Sequence, residues 1–185
     1  MELPNNKKYR ESFRDESEEF IEKVEKDWRK IEKKILRYIA NITNIKWKTT
    51  LIKCYVLRKC YFLGISDPLT IAIEVMKSKY KKINKSKFID VLIHEVIHNL
   101  LLESNDFERY YKKLKKRYTK ASNRTLIHIP VHAIHKAVYL KYFNEGRLNR
   151  DIISCSRRKD YAKAWNIVNK EGYENIIKDI RAYSK

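Results

Sequence analysis

Residues 94–98 read His-Glu-Val-Ile-His. On a helix, His94 and His98 fall one turn apart on the same face, and their imidazoles can converge on a single tetrahedral cation. Glu95 lies about 100° further round the axis. Its carboxylate then stands beside the cation rather than on it, placed to take a proton from an attacking water. The chemistry this trio supports is metal-assisted hydrolysis. Its surroundings, FIDVLIHEVIHNLLLE, are apolar nearly all round and predict a buried helix over about 87–103, opened by Ser86. Unpaired neutral polar groups in such a place cost roughly 1–3 kcal/mol each, so His and Glu there need a reason.

The chain has five histidines, and the remaining three are His128, His132 and His135. Spaced i, i+4, i+7, they share one face if the segment is helical. Pro130 is read as the start of a helix running to about Asn144 and stopped by Gly146. Within it His132 is the first choice for a third ligand. His128, ahead of the proline, is the second. His135 would serve a substrate oxyanion or brace a ligand. Tyr139 and Tyr142 continue that face as further donors, and Glu108 and Glu145 are acidic alternatives for the ligand. A metzincin pattern fails, because Ser104 stands where its third His belongs.

The elements needed to position these groups follow from the hydrophobic spacing. Phe20, Val24, Trp28, Ile31, Ile35, Ile39 and Ile42 recur at helical intervals, predicting one amphipathic helix over about 12–42. Between Trp47 and Val75 the composition turns β-branched and aromatic. Three short strands are expected there, over 48–56, 59–63 and 70–75, with a turn at Gly64–Pro68 and the last strand at the sheet's edge. A basic loop follows from Lys77 to Lys87. Phe107–Tyr118 reads as a basic helix, and the region from Asp160 as one or two helices broken near Gly172. The fold class expected is α+β. Its divisions are an N-terminal helix (1–45), a core (46–146) and a C-terminal helical extension (147–185).

Composition bounds the rest. The formal net charge of +19 draws polyanions, so nucleic acid bound through the basic surface is a candidate partner. A chain rich in Lys, Ile, Glu and Tyr, without glutamine, also suits a thermophile. No apolar run is long enough to span a bilayer, and MELPNNKKYRESFRDESEEF carries no secretory h-region. Three cysteines, with no CxxC pairing, give no disulfide framework. The cytoplasm is the expected location.

From Trp47 to Phe143 the order of sheet, TIAIEV strand, loop, VLIHEVIHNLL helix and second ligand-bearing helix resembles the zincins. It is most similar to the archaeal minigluzincins and, more loosely, to the SprT-like peptidases. The resemblance implies a small antiparallel or mixed sheet packed on the HExxH helix. It also implies one Zn2+ held by His94 and His98, Glu95 as general base in peptide-bond hydrolysis, and pairing of Thr70–Val75 with extended substrate. Gluzincins take a glutamate as third ligand where this chain offers His132. The terminal helices lie outside the resemblance and would cover the cleft. Competing expectations are a nucleic-acid-associated protein and a non-catalytic zincin scaffold.

Overall fold

The computed structural model describes residues 7–76 and 82–184, with side chains from residue 16 onward. Among these the chain forms eight helices and one three-stranded sheet, an α+β arrangement rich in helix. The Lys77–Lys87 loop expected from sequence falls partly outside the described residues.

Two helices open the chain, α1 (Lys7–Arg29) and α2 (Glu32–Thr43). The single long helix expected here is broken at Ile31, whose φ −120°, ψ −20° leave the helical path. The break lets α1 lay Phe20 edge-on against Phe88 while α2 buries Ile35 and Ile39. Asn44, in the left-handed region at φ 58°, ends α2 and donates its Nδ2–H to the Ser184 carbonyl at 2.8 Å, tying the end of α2 to the C-terminal segment.

The sheet comprises β1 (Tyr55–Cys60), β2 (Gly64–Ser66) and β3 (Leu69–Val75), in the order β1-β3-β2. β1 runs parallel to β3, and β2 antiparallel to it. This corrects the expectation that Thr70–Val75 lies at an edge: β3 is the central strand. Leu69 to Ile73 are all buried, so residues on both faces of the strand are covered. The Gly64–Pro68 segment, expected as a plain turn, contains the edge strand β2.

Helix α3 (Lys85–Glu103) packs between this sheet and α5 (Asn123–Tyr142). Asn84 caps α3, its side chain accepting from the Lys87 N–H at 2.9 Å. Ser122 caps α5 by accepting from the Thr125 N–H at 3.1 Å. Pro130 therefore sits inside α5 rather than at its start. The other helices are α4 (Asn105–Arg117), α6 (Glu145–Cys155), α7 (Lys159–Glu171) and α8 (Tyr173–Tyr183). Gly146, expected to stop a helix, lies within the first turn of α6, which Asn144 caps. Gly172, at φ +82°, separates α7 from α8 in a conformation that glycine adopts without strain.

One continuous core takes in Val24, Ile35, Ile97, Leu100, Ile134, Trp165 and Ile180, so all three segments of the chain contribute to it. Trp165 of α7 is 1% exposed and stacks on the His132 ring with centroids 4.4 Å apart. Replacing Trp165 with alanine should lower stability by about 3–5 kcal/mol, the usual range for removing a large buried aromatic. Urea unfolding would register this as a lower midpoint at unchanged slope; a loss under about 1 kcal/mol would mean that α7 is not part of the core.

Candidate metal centre

Helix α3 presents His94 and His98 together because they are four residues apart, and α5 presents His128, His132 and His135 opposite them. All four other imidazoles surround the His94 ring, with centroids 4.9 to 5.8 Å from it. Five histidines from two sequence clusters thus meet at one place.

Three of them have the geometry of a ligand set. The Nε2 atoms of His94 and His98 are 3.2 Å apart. Bonds of about 2.0 Å at a tetrahedral angle separate two ligand nitrogens by about 3.3 Å. A ligand atom of His128 completes the group, all three lying within 4.8 Å of one another. The Nδ1 of His128 is 2.7 Å from the Arg124 carbonyl, to which it donates as Nδ1–H, leaving Nε2 as a bare lone pair. His132, the first choice from sequence, is outside this group. It is fully buried against Trp165, and neither of its ring nitrogens has a hydrogen-bond partner among the described residues.

Proline caused that difference. Reading Pro130 as a helix start put His128 outside the helix, whereas α5 begins seven residues earlier, at Asn123. His128, His132 and His135 all lie on α5, and of the three His128 is the one that joins His94 and His98.

Burial sets the protonation of the cluster. It holds His94 and His132 well below the ordinary imidazole range, lowers His98 to about 3, and lowers His128 and His135 to about 4. The rings are therefore neutral at pH 7 and their lone pairs are available to a cation. The donor set, three neutral imidazoles whose ligand atoms lie within 4.8 Å of one another, could hold a metal ion.

Glu95 is 8% exposed, and burial pushes its carboxyl up to about 7. It packs against the backbone of β2. A β-carbon on Gly64 would lie 2.7 Å from both Glu95 Oε1 and Val91 Cγ1, so only glycine lets the strand approach this closely. Beside Glu95 opens a cavity of about 150 Å3 lined by His94, Glu95, His135, Phe62–Gly64, Asp151, Cys155, Arg158 and Tyr161. Tyr161 stands over the histidines, its ring 4.2 Å from that of His128 and 6.4 Å from that of His94. Burial raises its phenol, which keeps it protonated as a donor.

Sequence reasoning missed Tyr161, Asp151 and Arg158. Tyr139 and Tyr142, the tyrosines it named, behave otherwise: Tyr139 is buried against His135, and Tyr142 packs on Tyr38. Neither Glu108 nor Glu145 joins the cluster; Glu108 pairs with Lys112 on the surface.

Metal-free protein should be acid-sensitive. Because the folded state lowers these histidines, the unfolded chain binds more protons below pH 6.5. Stability is then complete above that pH and lost as pH falls toward 4. Each histidine adds a slope of about 1.4 kcal/mol per pH unit within its window. Urea titrations between pH 4 and 7 test this, and a flat profile would contradict it. Gly64→Ala should separately cost about 1–3 kcal/mol through overpacking against Val91 and Glu95, read as a lower midpoint at pH 7.

Searches with the chain find no matching protein-family profile, no matching curated protein and no matching solved structure.

Proposed function

We propose that this protein is a zinc-dependent peptidase of zincin type, with His94, His98 and His128 as ligands and Glu95 as general base. The 3.2 Å separation of the His94 and His98 Nε2 atoms carries the reading. At that distance one ring can donate an N–H to the other in the metal-free protein, and the same spacing suits two nitrogens bonded to one tetrahedral cation. The neighbouring residues supply the remaining requirements of hydrolysis.

A bound Zn2+ would supply a Lewis acid and an acidified water. Glu95, on the adjoining face of α3, accepts the proton as water attacks the scissile carbonyl and returns it to the leaving amine. A carboxyl poised near neutrality by burial suits both transfers. Tyr161, protonated and above the histidine cluster, donates to the developing oxyanion. Extended substrate lies along β2 rather than β3, since β2 is the sheet edge whose Phe62–Gly64 approach borders the cavity.

Ser154, Cys155, Arg158 and Tyr161, from α6, α7 and the turn between them, form one wall of the cavity. The C-terminal segment is thus built into the site rather than laid over it, and removing it would not uncover the cleft.

The nucleic-acid reading draws less support. Of the KKLKKR run on α4, Lys113 pairs with Asp179, Arg117 with Glu171 and Lys112 with Glu108, while Lys115 lies over the Tyr111 ring. Much of that charge is matched within the protein. Among the described residues no helix is long and apolar enough to cross a membrane.

Metal analysis and peptide hydrolysis together test the proposal. Wild type, Glu95→Gln and His132→Ala should each retain about one zinc per chain, while His94→Ala and His128→Ala lose it. Glu95→Gln should lower turnover by at least about 100-fold. Retention of zinc by His128→Ala, with loss from His132→Ala, would reassign the third ligand. Undiminished turnover in Glu95→Gln would remove the general base.

A further inference from the structure

The cavity beside Glu95 also carries information about what the substrate bears, an inference that rests on the peptidase reading above. From His94 and Glu95 it extends along α3 past Val91 to Lys87. Seven residues of helix, about 10 Å, separate Lys87 from His94. At about 150 Å3 the space is smaller than the roughly 300–1,000 Å3 of ordinary ligand pockets. It suits one side chain or one chain end.

Its far end is charged, and the pairing of those charges decides which sign an incoming group meets. Asp151 has a side chain 5% exposed and accepts from Lys87 Nζ at 2.7 Å. Asp90 is 9% exposed and accepts from Arg147 Nε at 2.7 Å. Both carboxylates are therefore buried and matched. Lys87 keeps 27% of its side chain exposed and has three N–H donors, only one of which is directed at Asp151. Arg158, in the turn between α6 and α7, is exposed, with its guanidinium 5.4 Å from the centre of the Tyr161 ring. Among the described residues no carboxylate pairs with it. The reachable charge is positive at two points.

We propose that this cavity receives a substrate carboxylate, held between Arg158 and Lys87, on the residue next to the bond cleaved at His94 and Glu95. The planar fork of arginine matches a carboxylate with two parallel N–H donors. Lys87, in the lining of the same cavity, adds a further donor. A cationic side chain beside Lys87 and Arg158 would meet two positive groups, while the Asp90 and Asp151 carboxylates are already matched. The carboxylate can come from an internal glutamate or aspartate, or from the C-terminus of the peptide. The chemistry of recognition is the same for both.

Binding and hydrolysis are measured separately. Fluorescently labelled peptides, identical except for a central Glu, Gln or Lys, are made with free and with amidated C-termini. Anisotropy on the metal-free protein gives affinities, and zinc-loaded protein gives cleavage rates. The Glu peptide should bind about tenfold more tightly than the Gln peptide, the increment of a charge-assisted pair, and the Lys peptide most weakly. In Arg158→Gln the Glu-to-Gln ratio should fall toward one, and in Arg158→Glu the preference should turn toward Lys. Arg158 is exposed, so these variants do not threaten the core. A preference that follows the free terminus instead of the Glu side chain identifies the chain end as the source. Absence of binding by every peptide, absence of either preference, or a preference unchanged in Arg158→Gln overturns the inference. Cleavage without carboxylate preference leaves the peptidase and removes the carboxylate site. Carboxylate-selective binding without cleavage does the reverse.

Discussion

Two neutral imidazoles with their Nε2 atoms 3.2 Å apart in the interior of a protein form the constraint around which this chain is arranged. Burial keeps both rings neutral, since a charged ring there would have to be desolvated. Helix α3 can hold the pair only because it is gripped on both sides. The sheet covers one flank through β2 and β3, and α5 covers the other. The near-absence of a polar face on α3 follows from this central position, as does its failure to look amphipathic in sequence.

The second helix shows how far the polar interior extends. His128 is anchored by the Arg124 carbonyl and brings a ligand atom within 4.8 Å of the pair. Behind it His132 lies flat on Trp165, and His135 on Tyr139. Neutral histidine always carries one donor and one acceptor, so these two rings bring four polar nitrogens into the interior without hydrogen-bond partners among the described residues. Their burial is offset by the aromatic stacking and by the apolar contacts of α5, α7 and α8. Stability and site are consequently not separate regions: the C-terminal helices that complete the core also supply Tyr161 and the Arg158 turn.

Much of this was legible in the sequence, and the failures have physical causes. The HExxH spacing identified α3, and the second histidine cluster, at i, i+4, i+7, identified the facing helix. Periodicity found the major helices because their apolar stripes are strong. What it could not supply was relief from punctuation rules. Pro130 inside α5 and Gly146 inside α6 were read as boundaries, since both residues usually end or begin helices. The first put His128 outside the helix, and the second left out α6, with Asp151 and Cys155 of the cavity. The strand order was illegible for another reason. TIAIEV alternates like a half-buried strand, and only tertiary contact reveals that its second face is covered too. Tyr161 gave no local signal at all, because nothing in its own segment distinguishes a tyrosine that meets His128 from one that simply packs.

Charge illustrates the same limit more sharply. The excess of 19 positive charges is spread along the chain, and sequence alone gives no means of telling a matched cation from an available one. Folding makes that distinction through pairs remote in sequence. Lys113 meets Asp179 and Lys87 meets Asp151, each more than sixty positions away. Once such pairs form, the long-range field of the molecule remains positive, but the local field of the cavity depends on a few groups whose partners are fixed. A bulk attraction for polyanions falls away with salt over about 8–10 Å. A cation held at the wall of a small cavity, beside a low-dielectric interior, is screened far less and acts over the length of one side chain. The two effects are therefore separable in principle, and the net charge of a chain says little about which anion its site will accept.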